Sequence, residues 1–132
     1  MDLNNLSVMN VASKKMKWLA SRQEVISTNI ANADTPGYQS RDVKSFDDYV
    51  DGNRTRTGVR TTNAMHIGGK GGSGEVASKV DADAWGRSIN GNTVSLEQQS
   101  IKSVETAEQY KMVTNLYKKS VGLLKIAASG GR

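Results

Sequence analysis

Glycine falls in three blocks along these 132 residues: none before Gly37, ten of the thirteen between positions 37 and 91, and none again from 92 to 121. A glycine inside a helix costs about 1 kcal/mol relative to alanine, so glycine-free ends around a glycine-rich middle predict two helices and an irregular excursion. The expected fold class is mainly α. Residues 1–35 are expected to hold an N-terminal helix and 93–132 a C-terminal helix. Residues 36–92 form the turn, an extended loop and a possible short β-hairpin.

Periodicity supports the first helix, expected over about 4–33. Met9, Ala12, Met16, Leu19, Gln23, Ile26, Ile30 and Ala33 recur at alternating steps of three and four, a narrow stripe of heptad type. Leu6, Val8, Val11, Trp18 and Val25 lie off it, so more than one face carries apolar residues, as when several neighbours pack around a helix. The chain's single proline then ends the helix. Thr35-Pro36-Gly37-Tyr38 fits a type II turn, with Pro36 at the second position and Gly37 supplying the positive φ required at the third.

The second helix is expected over about 96–128. Ser95 is its cap, and Gln98 is placed to reach back in a capping box. Ile101, Val104, Ala107, Val113, Leu116, Ser120, Leu123 and Ala127 form its stripe, Lys118, Lys119 and Lys125 suit the C-terminal end of the helix dipole, and Gly130 terminates it. Gly122 is read as a point of close helix contact. Between the helices, Val59–Thr62 and Glu75–Val80 are candidates for a hairpin, and Asn90-Gly91-Asn92 reads as a turn. The middle carries too few apolar residues to form a core by itself.

Composition narrows the function. Hydrophobic residues are 36% of the chain, aromatics 5%, and mean hydropathy is −0.54, low for a self-sufficient globular core. Two helices of roughly 45–50 Å, apolar on more than one face, bury too little against each other, so the remaining surface calls for other chains. No apolar run is long enough to span a bilayer. Lys14, Lys15 and Lys17 follow the most apolar N-terminal stretch, which argues against a cleaved secretory signal.

Catalytic and ligand motifs are weak. With no cysteine and His66 as the sole histidine, neither a Cys nor a His metal cluster can be assembled from one chain. Gly69-Lys70 is followed by Gly71 rather than Ser or Thr, which departs from a phosphate-binding loop, so the run at 68–74 reads as a flexible loop. Asp47, Asp48 and Asp51 lack calcium-loop spacing and are read as a solvated turn. The net charge of +5 favours anionic surfaces, but Arg54, Arg56 and Arg60 lack interleaved aromatics, so nucleic acid is not indicated. No cofactor and no catalytic residue is expected.

The segment Asn29-Ile30-Ala31-Asn32-Ala33-Asp34-Thr35-Pro36-Gly37-Tyr38 closely resembles the N-terminal signature of the bacterial flagellar rod, hook and hook-filament junction proteins, the axial family. The continuation Gln39–Val43, the segment Thr62–Ile67, the short length and Gly91–Glu97 look like the proximal-rod members. The resemblance implies a structural subunit, exported unfolded with its N-terminus intact, whose terminal helices pair as a coiled-coil inner domain that packs helically with others into a tube inside the MS ring. That tube transmits torque and encloses the export channel. It further implies as partners other copies of the chain, rod proteins of the FlgC and FlgF type, the rod adaptor FliE, the MS ring and the flagellar type III export apparatus. The interface residues expected are Met9, Met16, Leu19, Ile26 and Ile30 on the first helix and Val104, Val113, Leu116 and Leu123 on the last. Asn29, Asn32, Thr35, Pro36, Gly37 and Tyr38 set the turn. A free-standing helical hairpin that docks an amphipathic partner is the competing reading.

Overall fold

A computed structural model describes residues 3–54 and 76–130. Its elements are α1 (Leu3–Ala31), β1 (Arg41–Val43), α2 (Phe46–Arg54), β2 (Ser78–Val80) and α3 (Leu96–Ala128). The two long helices are antiparallel neighbours: Asn29 meets Gln99, Gln23 meets Ser103 and Met16 meets Thr114. The structure is mainly α, with one small two-stranded sheet.

Helix ends follow local chemistry. α1 stops at Ala31, two residues earlier than the periodicity predicts, and the chain passes through a turn into Pro36. The type II turn forms as expected: Gly37 has φ +72° and the Tyr38 N–H donates to Thr35 O at 3.3 Å. α3 spans the expected residues, with Ser95 accepting from the Gln98 N–H and Gly130 at φ +66° past its end. The reciprocal half of the capping box does not form. The Gln98 side chain instead donates to Asp83 O at 2.7 Å and accepts from the Trp85 N–H at 3.3 Å, because it is buried against the preceding loop.

The middle contributes more than its composition suggests. β1 and β2 pair antiparallel in the register Arg41↔Val80 to Val43↔Ser78, so the strand at 78–80 takes 41–43 as its partner. The proposed partner at 59–62, the glycine-rich run and His66 lie outside the described residues. Asp47, Asp48 and Asp51 lie in α2, not in a solvated turn, with the first two in its opening turn where the dipole favours them. α2 docks through Phe46 and Tyr49 onto a core of Trp18, Leu19 and Val43, where Val25, Val76 and Val113 also pack. Trp18 donates from Nε1 to Lys44 O at 2.8 Å, and Lys15 Nζ sits 4.2 Å above its ring. The middle therefore completes a core on α1, and neither part forms it alone.

The inner face of α3 differs from the predicted stripe. Its buried residues are Gln98, Gln99, Thr106 and Ser120, while Ile101, Val104, Leu116 and Leu123 are exposed. Thr106 and Ser120 return their hydroxyls to the carbonyls of Lys102 and Leu116. A hydroxyl satisfied within its own helix asks nothing of the neighbour, and the short side chain allows close packing. Gly122 makes no such approach, since a Cβ there would meet nothing within 4 Å.

The core makes a contrast measurable. Leu19→Ala, at a site with 0% exposure, should cost about 2–5 kcal/mol in urea denaturation of the purified chain. Ile101→Ala, on the exposed side of α3, should change stability by less than about 0.5 kcal/mol.

Candidate subunit-assembly site

The signature segment forms a bracket that locks the end of α1 to the start of α3. Asn29, fully buried on the last turn of α1, uses its whole amide. Nδ2 donates to Arg41 O at 2.7 Å and to Gln99 Oε1 at 3.0 Å, while Oδ1 accepts from the Arg41 N–H at 3.0 Å and the Tyr38 hydroxyl at 3.3 Å. One side chain thus joins α1, β1, α3 and the turn. Asn32 stays local: it donates to Thr28 O and accepts from the Thr35 hydroxyl.

The other half of the bracket is Asn92, 2% exposed. Its Nδ2 lies 2.8–2.9 Å from the carbonyl oxygens of Asn32, Ala33 and Thr35, so its two hydrogens serve three acceptors, and Oδ1 accepts from the Val94 N–H at 2.7 Å. The last carbonyls of a helix have no intrahelical donor, and here a residue 60 positions away in sequence supports the turn that follows them. Backbone bonds close the seal: Gly37 N–H to Asn90 O at 2.9 Å and Thr93 N–H to Tyr38 O at 3.0 Å. Gly91, at φ +83°, lies against Gly37, whose Cα would be 3.5 Å from any Cβ placed there. Pro36 and Gly37 themselves are exposed.

A charge cluster pins the first turns of α3 to the sheet. Lys102 Nζ reaches Asp81 Oδ2 at 2.6 Å and Asp42 Oδ2 at 3.0 Å, and Arg22 Nε reaches Asp42 Oδ1 at 3.3 Å. Burial alone would raise the Asp42 carboxyl, but the Lys102 hydrogen bond and the Arg22 guanidinium hold it below the ordinary value. Burial alone would lower the Lys102 ammonium, but Asp81 and Asp42 hold it above the ordinary value.

The residues expected at an interface divide by location. Leu19 and Ile26 are buried within the chain, at 0% and 1% exposure. Met9, Met16 and Val113 are partly buried. Ile30, Val104, Leu116 and Leu123 face outward, and Ile101, Met112 and Ile126 extend the exposed apolar surface of α3. Asn92, Gln99, Asp42, Asp81 and Lys102 were not distinguished as site residues by sequence reasoning. For Asn92 a signal existed, as it sits in the turn motif before α3; for the charged residues no local pattern separates a paired ion from a solvated one.

The site is thus a buried polar bracket at the base of a long antiparallel helical hairpin, with large apolar residues exposed on one helix. Residues 9–39 match the flagella basal body rod protein family. The flagellar basal body rod protein FlgB of Agrobacterium fabrum is 32% identical over 115 residues, spanning 86% of this chain and 86% of its own. Those of Salmonella typhimurium and Escherichia coli are each 30% identical over 118 residues, spanning 84% of this chain and 86% of theirs. The chain belongs to the FlgB family of flagellar basal body rod proteins.

Two substitutions probe the bracket. Asn92→Ala removes a donor shared by three carbonyls, two of which keep a backbone N–H, and should cost about 1–3 kcal/mol in urea denaturation. Lys102→Met leaves Asp81, 3% exposed in its side chain, without its cation and should cost about 3 kcal/mol at neutral pH. The sign of the pH dependence follows from the two shifts. The Asp42 contribution is present above the unfolded carboxylate pKa and is lost as pH falls through its depressed folded value; the Lys102 contribution is complete below the ordinary lysine pKa and is lost as pH rises through its raised value. Stability should therefore plateau through neutral pH, and Lys102→Met should shrink the loss seen on acidification.

Proposed function

We propose that this chain is a structural subunit of the proximal flagellar rod, which polymerises helically inside the MS ring, transmits torque and encloses the export channel. Family membership places it among basal-body rod proteins, which are structural rather than catalytic and assemble with other rod and basal-body components. Among the described residues no helix is long and apolar enough to cross a membrane.

The observation that carries the finer reading is the orientation of α3. Its buried residues, Gln98, Gln99, Thr106 and Ser120, are all polar, while Ile101, Val104, Met112, Leu116, Leu123 and Ile126 are exposed. An exposed apolar surface of this extent on a helix marks a face that other chains cover. Contacts between unlike faces that do not close on themselves build a helical polymer, which is the form a drive shaft requires. Residues 1–35 and 93–132 then act as the inner domain of the tube wall. Residues 36–92 leave it in a direction fixed by the bracket. The neighbours on this reading are further copies, rod proteins of the FlgC and FlgF type, the adaptor FliE and the MS ring, reached after passage through the type III export apparatus.

Ile30 is 41% exposed beside the bracket. Ile30→Asp should leave the chain expressed at the wild-type level, reduce its amount in isolated basal bodies to background on immunoblots, and abolish swimming in soft agar; normal rods in this variant would contradict the reading. Gly37→Val forces a β-branched residue to φ +72°, at a cost of about 1–2 kcal/mol. Swimming-halo diameter should fall well below wild type, and an unchanged halo would show that the exit direction is not set by this turn.

A further inference from the structure

We propose that a groove between α1 and α3 receives Trp85 of a second copy of this chain, in a head-to-tail contact that repeats from subunit to subunit. The inference rests on the rod-subunit reading and names a partner surface within it. The groove is lined by Leu19, Ala20, Gln23, Thr106, Ala107 and Tyr110 and has a volume of about 430 Å³. Ala20 and Ala107 leave it open where larger side chains would fill it. Its polar member, Gln23, donates from Nε2 to Ser103 at 2.9 Å, while its buried Oε1 accepts no hydrogen bond among the described residues. A buried acceptor without a donor is a standing cost. The groove therefore favours an occupant that is apolar in bulk and brings one N–H.

An indole has both properties. Trp85 is 64% exposed, and among the described residues its indole nitrogen has no hydrogen-bond partner. Its loop is held in place rather than free. The Trp85 N–H donates to Gln98, Gln98 donates to Asp83 O, and the Ser88 N–H donates to Asn92 O. A fixed, exposed tryptophan is a preorganised anchor of the kind that dominates interface energetics.

Trp85 does not serve the groove of its own chain. Its loop is tied to the first turn of α3 through Gln98, whereas Thr106 and Tyr110 lie about 12–18 Å further along that helix. Anchor and groove are different patches, so each subunit offers a free groove to the next and the contact does not close.

The absence of cysteine from the chain makes a clean test. Ala20→Cys and Gly86→Cys are introduced together; both sites are exposed, and a Cβ at Gly86 meets nothing within 4 Å. Basal bodies isolated after mild oxidation are separated on non-reducing gels and probed for this chain. The expected result is a ladder extending beyond the dimer that collapses on reduction, is missing from either single variant and is lost when Trp85→Ala is added. Monomer alone in basal bodies that contain the chain, a dimer with no higher band, or a ladder undiminished by Trp85→Ala would each overturn the contact while leaving the rod reading in place. Absence of the chain from basal bodies with complete rods would overturn the rod reading, and this contact with it.

Discussion

The structure depends on supplying donors to the carbonyls around the end of α1. The turn that follows α1 brings the carbonyls of Asn32, Ala33 and Thr35 together at one point, and a carbonyl buried there without a donor would be costly. Asn92 donates to all three turn carbonyls from the far side of the excursion, and Asn29 ties the same turn to β1 and α3. Because both amides are almost wholly buried, the two helices can pair in only one register relative to the loop. The direction of the chain at Pro36 is thus a property of the hairpin as a whole, and a proline alone would not set it.

This arrangement divides the work between folding and assembly. Within the chain, stability is concentrated on one side of α1, in the Trp18, Leu19 and Val43 core and the Lys102 ion cluster. α3 contributes hydroxyls, amides and Val113 to that side and leaves Ile101, Val104, Met112, Leu116, Leu123 and Ile126 exposed. A subunit built this way gains most of its remaining hydrophobic stabilisation only when neighbours arrive.

The long helices were legible in the sequence because glycine placement and periodicity are local signals, and the ends of α3 and the turn at Pro36–Gly37 followed from cap and turn chemistry. The inner face of α3 was not legible. Thr106 and Ser120 read as interruptions of an apolar stripe, yet their hydroxyls are satisfied by their own helix, which makes them good packing residues. α2 and the pairing of β1 with β2 were missed because each is short and becomes stable only against Trp18 and its neighbours. The signature asparagines could be recognised as a pattern, whereas the long-range acceptors they hold could not be read from spacing.

The most direct test of the central claim is electron cryotomography of flagellar motors in cells that lack this chain, beside a complemented strain. The account predicts MS rings with no rod above them in the deletion and restored rods on complementation. Intact rods in the deletion would contradict it, and the bracketed hairpin would then be an adaptor that folds and acts on its own.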